Sequence, residues 1–223
     1  MKSDLKRAVK DLFLKLPSIK KRKEKYIQYI RSCYNSENQA PTIICSTCIG
    51  GMISHNLGLR FMSPTVNIWM TPSDLIKFVS DIDKYVAAEI NFVKSNYYDF
   101  PVGKIDDITV YFQHYTTEED ARNKWNERKT RIDKDNLFII TDDKNVTDEE
   151  IEKLLDVKCR RLVIFTANQT KQEPFFAYNC YKGQSEVGRY SVRNLKGFAP
   201  FEKEFNYAAW LSGKDDYRLT GEF

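Results

Sequence analysis

The sequence predicts an α/β fold. Residues 41–223 are expected to form a domain on a mostly parallel or mixed sheet flanked by helices, preceded by a basic helical arm over residues 1–40. Three observations predict it. Short β-branched, apolar runs alternate with stretches of helical period. Polar cap residues stand where those stretches begin. The first 31 residues carry eleven Lys and Arg against Asp4, Asp11 and Glu24, a net +8, which leaves −4 on the remainder of a chain whose total is +4.

In the arm, Ser3 can cap a first helix with Leu5, Val9, Leu12, Phe13 and Leu16 at helical spacing. Pro17 interrupts it, and Ser18 can cap a second helix through Tyr34 with Ile19, Tyr26, Ile27, Ile30 and Cys33 on one face. Residues 35–41 are polar and read as a linker. Thr42-Ile43-Ile44-Cys45 then reads as a buried strand, running through Cys48-Ile49-Gly50-Gly51 into a short helix ending near Leu57. Residues 65–70 read as a second strand. Thr71-Pro72-Ser73-Asp74 opens a helix carrying Leu75, Phe78, Val79, Ile82, Tyr85, Val86 and Ile90. Residues 96–104 read as an aromatic loop and 108–114 as a strand. Thr116-Thr117-Glu118-Glu119 opens a charged helix, supported by acid-first pairs four apart such as Glu118–Arg122 and Glu127–Arg131. Strands at 137–141 and 162–166 bracket a helix capped at Thr147. Beyond Gln169 the pattern is an aromatic loop region with one short helix over Tyr207–Leu211. The alternation points to a Rossmann-like, three-layer arrangement.

Composition narrows the class. Hydrophobic residues make up 42% and charged residues 30% of 223, enough apolar material for a core, so disorder throughout is excluded. Nine Gly and seven Pro exclude collagen-like and low-complexity chains. No apolar stretch approaches membrane-spanning length, and no secretory signal is read at the N-terminus. The expected location is cytoplasmic. Five scattered cysteines, Cys33, Cys45, Cys48, Cys159 and Cys180, argue against a disulfide framework. Cys45-Ser-Thr-Cys48 has no second ligand pair in sequence for zinc.

The run Cys48-Ile49-Gly50-Gly51, followed by Leu57-Gly58-Leu59 and by residues 61–67, FMSPTVN, resembles a known bacterial family. So do Pro101-Val102-Gly103-Lys104, His114-Tyr115, Lys124-Trp125 with Arg128 and Arg131, Asp135-Asn136 and Val163-Ile164-Phe165-Thr166. These motifs are similar to the exopolysaccharide-biosynthesis family catalogued as domain of unknown function 1919, over roughly residues 40–213. The resemblance implies an α/β fold and a place in capsule or exopolysaccharide pathways. It implies no settled catalytic residue.

The residues themselves suggest where chemistry would sit. Ligands of open α/β sheets bind beyond the carboxyl ends of strands. Gly50 and Gly51, between a strand and a helix N-terminus, would let a diphosphate approach the backbone, or would serve only a tight turn. Cys48 just before that helix is a candidate nucleophile, or a small core residue. His114 after a strand is a candidate general base at the sheet edge, or a half-buried hydrogen-bonded histidine. Ser63, Thr65 and Asn67 are candidates for binding sugar hydroxyls, or turn residues around Pro64. Trp125 with Arg128 and Arg131 would form an anionic or stacking site, or a core anchor with arginines in water. No metal-ligand set is assigned. A divalent metal would accompany a nucleotide sugar, with Asp142 beside Asp143 as the pair to hold it, or an exposed turn. The basic arm of residues 1–34 suits an anionic membrane surface, or packing on the body, and no nucleic-acid motif is present.

Together these readings predict a cytoplasmic protein, peripheral at the inner membrane face, of exopolysaccharide or capsular polysaccharide biosynthesis. It would be a glycosyl, phosphoryl or acyl transferase acting on an activated sugar or glycan precursor. The alternative is a non-catalytic glycan-binding or scaffold protein of the same machinery.

Overall fold

The computed structural model describes residues 15–35, 39–194 and 197–219. In chain order, α1 (Pro17–Cys33) precedes β1 (Thr42–Cys45), α2 (Ile49–Leu57), α3 (Pro72–Ser80), α4 (Ile82–Ala87), β2 (Asn91–Val93), β3 (Val102–Ile105) and β4 (Ile108–Tyr111). Then follow α5 (Glu118–Lys129), β5 (Leu137–Asp142), α6 (Asp148–Leu155), β6 (Arg161–Thr166), β7 (Phe175–Ala177), α7 (Pro200–Glu204) and α8 (Tyr207–Leu211). The chain forms two compact units, Met1–Glu37 with Gly188–Phe223, and Asn38–Val187. The return of the chain to the first unit at Gly188 carries no signal in the sequence.

The larger unit holds two sheets. Strands β1, β5, β6 and β7 form a parallel sheet in that order, with Thr42 opposite Leu137 and Phe138 opposite Arg161. Every residue of β1 and β5 is buried, which is why both read as continuous apolar runs rather than alternating ones. Strands β2, β3 and β4 form an antiparallel sheet. The fold class is therefore mixed α/β with flanking helices. Its core joins Ile44, Ile139 and Ile164 of the parallel sheet to Leu75, Phe78 and Val79 of α3 and to Trp125 of α5. Trp125 lies 5.9 Å from Phe78 and 6.2 Å from Phe112, ring to ring.

Side-chain caps set the helix starts. Thr71 accepts from the Asp74 N–H at 3.1 Å, Thr117 from the Asp120 N–H at 3.1 Å, and Thr147 with Glu150 closes a capping box on α6.

Several expectations are corrected. Residues 65–70 are not a strand: Asn67 has φ 63°, a left-handed backbone that ends extended pairing, and only Trp69 bridges Tyr111. The single helix expected from Pro72 to Ile90 breaks at Asp81, φ −149° and ψ 68°, whose carboxylate caps α4 by accepting the Lys84 N–H. Ser18 does not cap α1. Pro17 occupies its first turn, where a missing N–H costs nothing, and Leu16 precedes it. The 96–104 loop yields to β3 from Val102, and the expected strand at 108–114 stops at Tyr111. β2 and β7, three residues each, were not expected. The helix expected from Ser3 lies outside the described residues.

In the smaller unit, α1 packs through Tyr26 and Ile30. Tyr26 and Ile30 are fully buried, and the Tyr26 ring meets Phe198 edge-on at 5.3 Å. Helices α7 and α8 have five residues each, too few to persist alone. Phe205 holds them by packing on Trp210 and Tyr217 at 5.6 and 5.9 Å, and Asn206 caps α8 through the Ala209 N–H.

Candidate functional site

β1 delivers the chain to the carboxyl end of the parallel sheet at Cys45. The Ser46 N–H donates to the Ile140 carbonyl at 3.2 Å, so Ser46 continues the sheet edge beside β5. Its hydroxyl accepts from Thr141 at 3.4 Å, and its carbonyl accepts the Met70 N–H at 3.0 Å. Thr47 and Cys48 then turn the chain into α2.

The glycines let α2 settle onto the protein itself. A Cβ at Gly50 would lie 3.1 Å from the Cys45 Cβ and 3.3 Å from an Ile43 methyl. A Cβ at Gly51 would lie 3.1 Å from a Val66 methyl and 3.2 Å from the Asn67 side-chain oxygen. Both positions are filled by neighbours, so the close approach these glycines permit is between α2, β1 and the turn at Val66–Asn67.

Ser63 and Thr65 are buried and turned inward. Their hydroxyls share a 2.8 Å hydrogen bond, Thr65 accepts the Cys45 N–H at 3.2 Å, and the Thr65 N–H donates to Ser63 at 3.1 Å. These bonds tie residues 63–65 to β1. Asn67 is the exposed member of the group, on a left-handed backbone that asparagine tolerates. Cys48, Gly50, Gly51, Ser63, Thr65 and Asn67 are thus gathered around one turn, with Cys48 half-buried and Asn67 exposed.

Cys45 is buried, and burial pushes its thiol up to about 12. It accepts the Thr47 N–H at 3.5 Å. A thiol held neutral does not attack, so iodoacetamide near pH 8 is expected to label exposed Cys180 in the folded protein and leave Cys45 unmodified until denaturant is added. Peptide mass spectrometry checks this, and prompt Cys45 labelling in the native protein would contradict the buried assignment.

His114 lies three residues beyond Tyr111, the last residue of β4. The strand it follows, β4, belongs to the antiparallel sheet, and the imidazole is exposed. Its neighbour Tyr115 is the residue that turns toward the gathered group. The Tyr115 hydroxyl donates to the Val66 carbonyl at 3.1 Å and accepts from Arg128 Nη1 at 2.7 Å. Arg128 Nη1 also donates to the Val66 carbonyl at 3.3 Å, and its guanidinium lies 5.3 Å from the Phe61 ring. Arg131 Nη1 donates to the Phe61 carbonyl at 3.0 Å. Burial raises the Tyr115 hydroxyl's pKa, opposed by the adjacent Arg128. The motif of Trp125, Arg128 and Arg131 therefore divides. Trp125 anchors the core, while Arg128 is buried beside the turn at Val66 instead of standing in water. Tyr115 and Phe61 carry no sequence signal for this role, because only packing shows what they touch.

At the end of β5, Asp142 is buried and accepts the Lys144 N–H at 3.1 Å in a local turn. Asp143 accepts from the Thr166 hydroxyl at 2.7 Å and from Lys171 Nζ at 2.9 Å. A divalent cation there would have to displace a lysine, so the Asp142–Asp143 pair does not fit one. Among the described residues no group of three or more His, Cys, Asp or Glu is arranged to hold a metal ion.

The chain is similar to a Haemophilus influenzae protein described as an uncharacterized protein. The two are 34% identical over 182 residues, covering 78% of this chain and 85% of the relative. The model of a family described as a domain of unknown function, DUF1919, matches residues 18–212, which take in both sheets and the turn around Cys48, Ser63 and Asn67. The chain belongs to the DUF1919 family.

Proposed function

We propose that this protein works in exopolysaccharide or capsular polysaccharide biosynthesis as a transferase on an activated sugar or glycan precursor, which it binds at the turn after β1. The supporting observation is the convergence of Asn67, the 46–48 turn and buried Arg128 around the N-terminus of α2, at the carboxyl end of a parallel sheet. Among the described residues no helix is long and apolar enough to cross a membrane. Tyr26 and Ile30 are already consumed in packing, so a membrane contact of α1 would be electrostatic, through Lys20, Lys21, Arg22 and Lys25.

A non-catalytic, glycan-binding role is favoured by a different feature, a row of surface aromatics. Trp69 and Tyr111 pack at 4.2 Å, Tyr111 and Tyr98 at 5.3 Å, Tyr98 and Phe100 at 4.9 Å, and Tyr97 stands 93% exposed. Amphipathic rings of this kind can stack on the apolar face of a sugar.

A thermal-shift panel of UDP-, GDP-, CMP- and dTDP-sugars and acyl-coenzyme A donors, with product analysis of any hit, tests the proposal. A donor at 100 times its dissociation constant stabilises by about 2.7 kcal/mol. The shift is expected to shrink in Asn67→Gly, which removes the amide but keeps the left-handed backbone. No shift with any donor, together with binding of neutral oligosaccharides, would replace transfer by the glycan-binding role.

A further inference from the structure

We infer that Arg128 is the anion-recognition residue of this site, and that its ligand carries an oxyanion, a phosphate or a sugar carboxylate, on the side-on Nε–Nη2 edge of the guanidinium. Arg128 is 8% exposed. A buried charge is normally paired with an opposite charge, because leaving it alone in a low dielectric is costly. Arg128 has no such partner among the described residues. Its contacts are the Val66 carbonyl and the Tyr115 hydroxyl, both to Nη1, and the Phe61 ring. The acid next to it in sequence, Glu127, is committed to Arg131 and Lys124.

The contacts leave a specific gap. Nη1 is used twice, whereas Nε and Nη2 meet no described acceptor. Neither is a fully buried atom without a partner, so this edge keeps some contact with solvent. Nε–H and one Nη2–H form the parallel fork that accepts a carboxylate or phosphate in two-point fashion. Phe61 and Tyr115 hold the guanidinium plane from the face and from the opposite edge, so the fork is oriented before a ligand arrives. Val66, whose carbonyl takes Nη1, also packs on Gly51. This places the fork beside the same turn that gathers Asn67 and Cys48.

The inference relies on the proposed function only for its location, since oxyanion binding is independent of group transfer. The test is calorimetric titration of the full chain with inorganic phosphate, pyrophosphate and glucuronate, comparing wild type with Arg128→Lys, which keeps the charge and loses the fork. Saturable binding of at least one probe is expected, weakened about tenfold or more in the variant. Phosphate probes without glucuronate would assign a phosphorylated ligand, and the reverse an acidic sugar. Should Arg128→Lys not fold, dicarbonyl modification of wild type read by mass spectrometry serves instead, with Arg128 expected to be protected by the bound probe. No saturable binding by any probe would overturn the inference, as would equal affinity in Arg128→Lys or an unprotected Arg128. If simple anions bind through Arg128 while no activated donor does, the transferase reading fails and this one stands.

Discussion

Trp125→Ala is expected to destabilise the larger unit by about 3–5 kcal/mol, read as a lower denaturation midpoint by circular dichroism. Trp125 is among the largest fully buried side chains and joins two aromatic neighbours from different elements, Phe78 of α3 and Phe112 just beyond β4. Truncation leaves a cavity between rigid rings that cannot collapse into it. Trp125→Phe is expected to cost far less, about 1 kcal/mol, because the indole Nε1 is buried with no partner among the described residues. Removing an unpaired donor offsets part of the lost volume. A loss for Phe as large as for Ala would mean the indole has a role that its contacts do not show. One turn further along α5, Arg128 takes its position from the same anchor. Trp125→Ala is therefore also expected to weaken oxyanion binding.

The second large effect lies in the smaller unit. Glu202 is fully buried, ion-paired with Lys23, 3.6 Å from Arg193 Nε, and its other role is to accept the Ala199 N–H at 3.1 Å. Glu202→Ala removes the carboxylate paired with Lys23 and is expected to cost about 3 kcal/mol. That is the lower end for a broken buried pair, since Lys23 keeps some exposure and can move its charge toward water. Glu202→Gln retains an acceptor for Ala199 and should fall between wild type and Ala.

A pH signature accompanies the change. Burial lowers the Lys23 pKa, and Glu202 opposes it. The folded state therefore holds fewer protons than the unfolded one between the lowered value and about 10.4, so this group's contribution to stability rises as pH increases through that window. Without Glu202 the lowering deepens and the window opens at a lower pH. Melting temperatures of wild type and Glu202→Ala between about pH 8 and 11 check this. Parallel profiles would remove Lys23 from the account.

The parts of the fold legible in the sequence are those where one local rule decides. Thr42–Cys45 and residues 137–141 are strands with both faces covered, so their apolar runs are unbroken. Thr71, Thr117 and Thr147 are caps because each hydroxyl lies within reach of an amide three residues on. Short strands were not legible. Asn91–Val93 and Phe175–Ala177 are three residues long and take their extended form from the partners they pair with. Residues 65–70 carry the composition of a strand, and the left-handed Asn67 overrides it.

The candidate site divides the same way. That Cys48, Gly50 and Gly51 stand between a strand and a helix is legible along the chain, because strand period and turn chemistry are local. What those glycines face depends on the folded chain. Their neighbours, Ile43, Val66 and Asn67, come from separate parts of the chain. Tertiary packing likewise placed the strand before His114 in the antiparallel sheet and drew Tyr115 and Arg128 to the Val66 carbonyl. The difference is one of range. Propensity and capping act over a few residues, whereas the burial of a charge and the acceptor it finds depend on contacts such as Arg128 to Val66, 62 residues apart.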